Sequence, residues 1–274
     1  MGFIKIDNEK CSRDGFCVND CPLRLLALPA DGGVPQTVPG AEALCIKCGH
    51  CLSVCPHAAL TLNNTSPDNC VELKALSQPD FTQVKNMMQS RRSIRRFSKE
   101  PVNKEDLSEI LSVAAYAPSG HNSQPVKWLV VYKKEEVRRL AGVVAEWMRD
   151  MISSNPAFAQ MMLLDKIVAA WDAGQDMIMR DAPHAVIAYA DKSIVTAPAA
   201  CAIALSHFEL AAHAKGAGAV WAGYFHVAAT MFPAMQEALN LPSGHVCHGA
   251  LMLGMPGVKY HRIPQRNEPS VIWR

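Results

Sequence analysis

Two cysteine runs constrain the N-terminal part of this chain more than any other feature. They are Cys11, Cys17 and Cys21-Pro22, then Cys45, Cys48, Cys51 and Cys55-Pro56, and together they hold seven of the ten cysteines. The second run reads C-x2-C-x2-C-x3-C-P. In that spacing three neighbouring thiolates wrap one iron–sulfur cluster while the cysteine before proline reaches across to another. On this crossed rule Cys45, Cys48, Cys51 and Cys21 hold one 4Fe-4S cluster, and Cys11, Cys17 and Cys55 supply three ligands to a second. The chemistry such a pair of clusters serves is electron transfer.

The first run departs from the pattern. Its middle position is Asp14, not cysteine. A carboxylate is harder than a thiolate and suits iron less tightly, so this corner is open to three readings: aspartate-bound, solvent-bound, or vacant as a 3Fe-4S cluster. Ligation by Asp14 is the preferred one. A plain Asp-Gly turn is the alternative, since both residues favour turns. Structural zinc takes four ligands, usually as two separated pairs, and leaves no use for a triple run ending in Cys-Pro. Disulfides are disfavoured because the start, Met-Gly-Phe-Ile-Lys-Ile-Asp, has neither the apolar core nor the cleavage site of a signal peptide. Ile6 also stands where N-myristoylation wants Ser or Thr. A cytoplasmic location, where thiols stay reduced, is the expectation.

A chain of 274 residues with 49% hydrophobic content can bury one large domain and carry one small one. The formal net charge of +2 gives no long-range case for nucleic acid. The most apolar stretch, Ala197 to Phe225, is interrupted by His207, Glu209, His213 and Lys215. It therefore fails the requirement of about 20 apolar residues for a membrane span, and no membrane partner is expected. A cluster of Asn, Ser, Pro and Asp between Asn63 and Pro79 marks a linker. The expected boundaries are 1–66 for the iron–sulfur domain, 67–79 for the linker and 80–274 for the large domain.

After the linker the periodicity changes. Asp80 with Gln83 caps a helix, and Asn103 with Asp106 opens a second one that stops by Pro118. Further helices are predicted over Glu135 to Met151, Phe158 to Trp171 and Ala197 to Ala214. Strands are predicted over Val126 to Tyr132, Ala185 to Ala190, Ala219 to Tyr224 and Val246 to Leu253. Strands alternating with helices argue for a mixed α/β layer architecture.

Neither G-x-G-x-x-G nor a P-loop is present. Instead, Ser90-Arg91-Arg92-Ser93-Ile94-Arg95-Arg96-Phe97 gathers guanidinium groups that could fork onto a phosphate. Basic residues at a helix C-terminus also simply complement its dipole. Ala117-Pro118-Ser119-Gly120-His121-Asn122-Ser123-Gln124-Pro125 packs donors and acceptors into a loop that could grip a polar heterocycle, or could be an ordinary turn. Cys70, Cys201 and Cys247 are solitary and read as packed or inert thiols.

These segments, followed by D-A-P-H-A-V-I, G-A-G-A-V-W-A-G-Y and L-G-M-P with R-I-P-Q-R, carry a resemblance. Over roughly residues 80 to 274 the chain resembles the FMN-dependent nitroreductase family, and with the cysteine domain ahead of it, the ferredoxin–nitroreductase fusions of anaerobic microbes. The resemblance implies an α+β class: a nitroreductase-like FMN-binding fold with a central mixed sheet flanked by helices, preceded by a small ferredoxin-like domain for two 4Fe-4S clusters. It implies a homodimer with FMN at the subunit interface. Arg91, Arg92, Ser93 and Arg95 match the segment for the ribityl phosphate, and Arg262 and Arg266 the C-terminal contact to it. Pro118, Ser119, Gly120, Asn122 and Gln124 match the loop against the flavin ring and ribityl chain. Ala222, Gly223, Leu253 and Gly254 match segments near the flavin.

The resemblance names no catalytic proton donor. In this family the flavin itself performs the redox chemistry and the protein supplies position and electrostatics. The leading expectation is that a reduced donor, a low-potential ferredoxin or else NAD(P)H, feeds the clusters, which reduce FMN, and that FMN then reduces a small-molecule electron acceptor such as a nitroaromatic or quinone. The rivals are another flavin reductase, acting on enones or as a dehalogenase, and a non-catalytic redox sensor or electron carrier.

Overall fold

The computed structural model describes residues 3–274, so Met1 and Gly2 of the start segment lie outside the described residues. The residues fall into two compact units. One runs through Pro79 and includes His121–Ser123; the other comprises Asp80–Gly120 and Gln124–Arg274.

The first unit is built from short elements: β1 (Ile4–Ile6), α1 (Phe16–Asn19), β2 (Leu26–Ala27), β3 (Gln36–Thr37), α2 (Ala41–Leu44), α3 (His50–Ser53) and β4 (Leu60–Leu62). β1 pairs antiparallel with β4, and β2 with β3. Cys11 and Cys45, Cys17 and Cys51, and Cys21 and Cys55 each stand 34 residues apart. The backbone repeats with them. Gly15 and Gly49 open α1 and α3 with φ of 74° and 79°. Arg13 and Lys47 match at 59° and 52°, and Arg24 and Ala58 both sit at 51°. Left-handed backbone costs a non-glycine residue roughly 1–2 kcal/mol, so strain repeated at the same two places in each copy marks a conformation that both cysteine loops require. The core beneath is small: Phe3, Leu25, Leu26, Leu52, Leu60 and Leu62, with Cys17 and Cys51 buried among them.

The second unit contains α4 (Phe81–Ser90), α5 (Lys104–Ala114), β5 (Lys127–Val131), α6 (Lys134–Ser154), α7 (Pro156–Met161), α8 (Leu164–Asp172), β6 (His184–Asp191), α9 (Ala197–Ala214), β7 (Gly218–Trp221), α10 (Gly223–Met231), α11 (Pro233–Leu239) and β8 (His245–Gly254). The strands form one sheet in the order β5-β6-β8-β7. Every pairing is antiparallel, which corrects the expected mixed sheet while keeping the α+β class. Both faces are covered. Ala185, Ile187, Ala250 and Met252 face a core completed by α6, α8 and α10. Val186, Ala188, Leu251 and Leu253 face a second core completed by α5 and α9. A strand buried on both faces reads as a continuous apolar run, as β6 does.

The Asp80 side chain accepts from the Gln83 amide at 2.8 Å while Gln83 Oε1 accepts from the Asp80 amide at 3.0 Å, the expected capping box of α4. Asn103 likewise accepts from the Asp106 amide at 2.7 Å to start α5. Two expectations are corrected. The helix predicted over Phe158 to Trp171 is broken into α7 and α8, because Leu163 adopts φ 57° between them. The strand predicted to run through Tyr224 ends at Trp221, and Gly223 begins α10 instead. Among the described residues no helix is long and apolar enough to cross a membrane.

Candidate functional site

The crossed cysteine sets come together in the first unit. Cys21, Cys45, Cys48 and Cys51 line one cavity, closed by Ile4, Leu25, Leu26 and Leu62. Cys11, Asp14, Cys17 and Cys55 line another. The cysteines before proline also match: the Leu25 amide donates to Cys21 Sγ and the Ala59 amide to Cys55 Sγ, each at 3.3 Å. Amide hydrogen bonds to cluster sulfurs are among the features that set cluster potentials. Among the described residues no three His, Cys, Asp or Glu side chains converge on a single ion.

Burial pushes the Cys51 thiol up to about 11, with the neighbouring cysteines adding to the rise, and raises Cys17 for the same reasons. Metal ligation removes those protons, so binding and local order are coupled. Each carboxylate oxygen of Asp14 accepts one hydrogen bond: Ser12 Oγ donates to Oδ2 at 2.7 Å and the Phe16 amide to Oδ1 at 2.9 Å. Those bonds, the Ser12 one first, hold its carboxyl below the usual range. The Asp-Gly turn is therefore formed, and Asp14 still borders the cavity of Cys11, Cys17 and Cys55.

In the second unit the arginine segment is fastened to the edge strand. The Ile94 amide donates to the Ala219 carbonyl of β7 at 3.0 Å. A Cβ at Gly218 would meet Ile94 Cγ1 at 2.3 Å, so only glycine admits this approach. The Ser98 amide donates to Met255, and the Gly257 amide donates to Arg96, both at 2.8 Å, stitching the same segment to the chain after β8. Beside it lies a cavity of about 270 Å³ whose wall includes Ser90, Arg91, Arg92, the backbone from Gly216 to Ala219, Pro256 and Tyr260. Two guanidiniums above a glycine-containing edge suit an anion of phosphate size. Ser93 is half-buried, while Arg95 points to solvent.

Arg91 already has a partner. Its Nη1 donates to Glu209 Oε1 at 2.8 Å, and the Glu209 side chain is only 10% exposed. Nothing local in the sequence links these residues, which stand 118 positions apart. The one available hint is an acidic residue inside an otherwise Ala-rich apolar helix. Arg262 and Arg266 lie in the exposed C-terminal arm, where neither has a hydrogen bond or ion pair among the described residues. The structure does not bring them to Arg91.

The predicted loop is strained. His121, Asn122 and Gln124 hold φ of 52°, 51° and 44°, and such clusters of left-handed residues are a feature of functional sites. Pro118 is exposed, Ser119 accepts from the Gln124 amide at 2.9 Å, and a Cβ on Gly120 would meet Thr196 at 2.8 Å. Asn122 belongs to the first unit, where its Nδ2 donates to the Ile46 and Lys47 carbonyls at 3.2 and 3.1 Å. Ala222 is buried and its amide donates to Ala250 at 2.9 Å, whereas Gly223 is exposed, with open space where a Cβ would stand. Leu253 is fully buried in the core, and Gly254 is closed over by Pro183 and Phe97.

Of the solitary cysteines, Cys201 and Cys247 are buried, and that burial pushes both thiols up to about 11. Cys70 is exposed rather than packed.

The comparisons agree with this architecture. A protein of Archaeoglobus fulgidus, provisionally named an NADH dehydrogenase/NAD(P)H nitroreductase, is 29% identical over 62% of this chain and 83% of its own length. An iodotyrosine deiodinase of Thermotoga neapolitana is 27% identical over 68% of this chain and 95% of its own. The crystal structure of a nitroreductase with bound FMN from Bacteroides fragilis superposes with a TM-score of 0.57 at 20% identity, covering 70% of this chain and 99% of that one. The 4Fe-4S binding domain pattern matches residues 41–61. With the Nitroreductase family pattern matching residues 88–255, more than half its length, this chain belongs to the Nitroreductase family.

Proposed function

We propose that this oxidoreductase is an iron–sulfur flavoprotein that passes electrons from its clusters to FMN and on to a nitroaromatic, quinone or similar small acceptor. The observation that carries the reading is the pairing of two site types in one chain: cysteine-lined cavities in the first unit and an arginine-walled, anion-sized cavity in the second. The iron–sulfur domain is assigned to residues 1–66, the linker to 67–79 and the FMN domain to 80–274. Cys21, Cys45, Cys48 and Cys51 hold one 4Fe-4S cluster. Cys11, Cys17, Cys55 and Asp14 hold a second, whose Asp14 corner is the more labile.

FMN exchanges electrons singly or in pairs, whereas a cluster passes one at a time. What the protein supplies is position. Arg91, Arg92 and Ser93 bind the phosphate, joined by Arg95, Arg262 and Arg266 once the exposed arm is ordered by a second copy of the chain. Pro118, Ser119, Gly120 and Gln124 frame the ring. Ala222 and Gly223, at the open start of α10, would present backbone to the flavin, and Leu253 and Gly254, closed over in the sheet, would support that segment. The donor is a ferredoxin or NAD(P)H, and the site lies in the cytoplasm.

The likeness to an iodotyrosine deiodinase favours one second reading, reductive dehalogenation. Anaerobic purification followed by iron, sulfide and flavin quantitation, then steady-state assays with nitroaromatics, quinones and halophenols, tests both. The expected outcome is FMN with iron and sulfide in one protein and turnover of nitroaromatics or quinones. Turnover confined to halophenols would favour the second reading. Absence of flavin, or holoprotein inert towards every acceptor, would defeat the enzyme assignment.

A further inference from the structure

Helix α4 ends at Ser90, with Arg91 as its C-cap, and contains no buried residue. The chain is held beyond it at Ile94, and two polar tethers to α9 hold its end. Ser90 Oγ lies 3.0 Å from His213 Nε2, and Arg91 Nη1 donates to Glu209 Oε1 at 2.8 Å.

Glu209 is an unusual residue to find there. Its neighbours on the same helix, Leu205, Phe208 and Ala212, are fully buried. A carboxylate taken out of water is costly unless it is paired. Burial raises the Glu209 carboxyl, while the charge and hydrogen bond of Arg91 and a hydrogen bond from Trp221 oppose the rise. The carboxylate touches one terminal nitrogen of Arg91. A guanidinium is a planar fork with five donors, so fixing one nitrogen sets the plane of the rest. The cavity of about 270 Å³ has both residues in its wall.

We propose that Glu209 is the positioning residue of the anion site: it holds Arg91 so that the remaining guanidinium donors face a phosphomonoester in that cavity. The proposal rests on the FMN reading above, with the ribityl phosphate as the anion. Glu209 also repels a phosphate, so removing its charge and losing its grip act in opposite directions. Glu209→Asp separates them. It keeps the charge and withdraws the carboxylate by one methylene. Glu209→Gln keeps the oxygen that accepts from Arg91 and drops the repulsion.

The test is a fluorescence titration of flavin-stripped full-length protein with FMN and with riboflavin, which has the ring but no phosphate. Glu209→Asp should raise the FMN Kd roughly tenfold, the loss of about one charge-assisted hydrogen bond, and leave riboflavin within about twofold. Glu209→Gln should bind FMN at least as tightly as the parent. Equal weakening of both ligands in Glu209→Asp would make the pair a structural tether and overturn the proposal, as would unchanged FMN binding. Arg91→Lys serves as the control: if it leaves FMN affinity unchanged, the phosphate assignment itself fails, whatever Glu209 does. Circular dichroism of each variant separates misfolding from altered binding, and Glu209→Gln carries the test if Glu209→Asp does not fold. FMN binding weakened by Glu209→Gln while riboflavin holds would then also overturn the proposal.

Discussion

His184 makes two hydrogen bonds that only one form of its ring allows. Nδ1 donates to the Tyr132 carbonyl at 2.7 Å, and Nε2 accepts from the Val102 amide at 3.0 Å. Protonation would turn Nε2 into a donor facing a donor. Burial lowers the His184 pKa from its ordinary 6.5, while the Tyr132 carbonyl opposes the fall. His213, His226 and His248 are lowered too, burial leading in each. A histidine with a lowered folded-state value contributes stability that is complete above 6.5 and lost as pH falls below it. Urea unfolding followed from pH 7.5 to 5 should show the midpoint falling below pH 6.5. His184→Gln should be less stable by about 1–3 kcal/mol at neutral pH, from loss of a buried bond, with a shallower pH slope. A variant that retains the parent slope would show that His184 is not a source of it.

Residues of the candidate site differed in how readable they were. The cysteines were legible because their chemistry fixes spacing within one local segment, and the two copies reinforce each other. Glu209 was not, because its partner stands 118 positions away and a charge in an apolar helix reads as an interruption. His184 was hidden for the same reason, its partners lying 52 and 82 residues distant.

Elements with end signals were read well. The capping residues Asp80 and Asn103 announce α4 and α5, and the alternation of apolar contacts over β6 and β8 follows directly from a two-faced core. Errors fell where a signal was ambiguous. Trp221-Ala222-Gly223-Tyr224-Phe225 is a short apolar run, and periodicity alone cannot separate strand from helix over so few residues. The helix break at Leu163 has no proline or glycine to mark it. The edge strand β7 offers a test at this scale. Gly218→Ala would place a methyl 2.3 Å from Ile94 Cγ1, costing about 1–3 kcal/mol by overpacking and prying the arginine segment from β7. Thermal unfolding should show that loss. Gly218→Ala should cost less in an Ile94→Ala background than in the parent, because the Cγ1 contact is gone while Ile94→Ala carries its own cavity cost, and an equal cost in both backgrounds would contradict the contact as the cause.

At the scale of the whole molecule, composition and linker chemistry pointed to a small unit ahead of a large one, and the family pattern accounts for the large one. The sheet's antiparallel order was not legible, since strand pairing depends on contacts far apart in sequence. The central claim concerns how the two chemistries work together: electrons reach the acceptor by way of the cysteine-bound clusters. Anaerobic stopped-flow absorbance, mixing holoprotein with a reduced low-potential ferredoxin, tests it most directly. The account predicts cluster bleaching before flavin bleaching, and a Cys51→Ser variant that keeps its flavin yet accepts electrons into it roughly tenfold more slowly or worse. Flavin reduced at the parental rate in that variant, or bleached while the clusters stay oxidised, would contradict it.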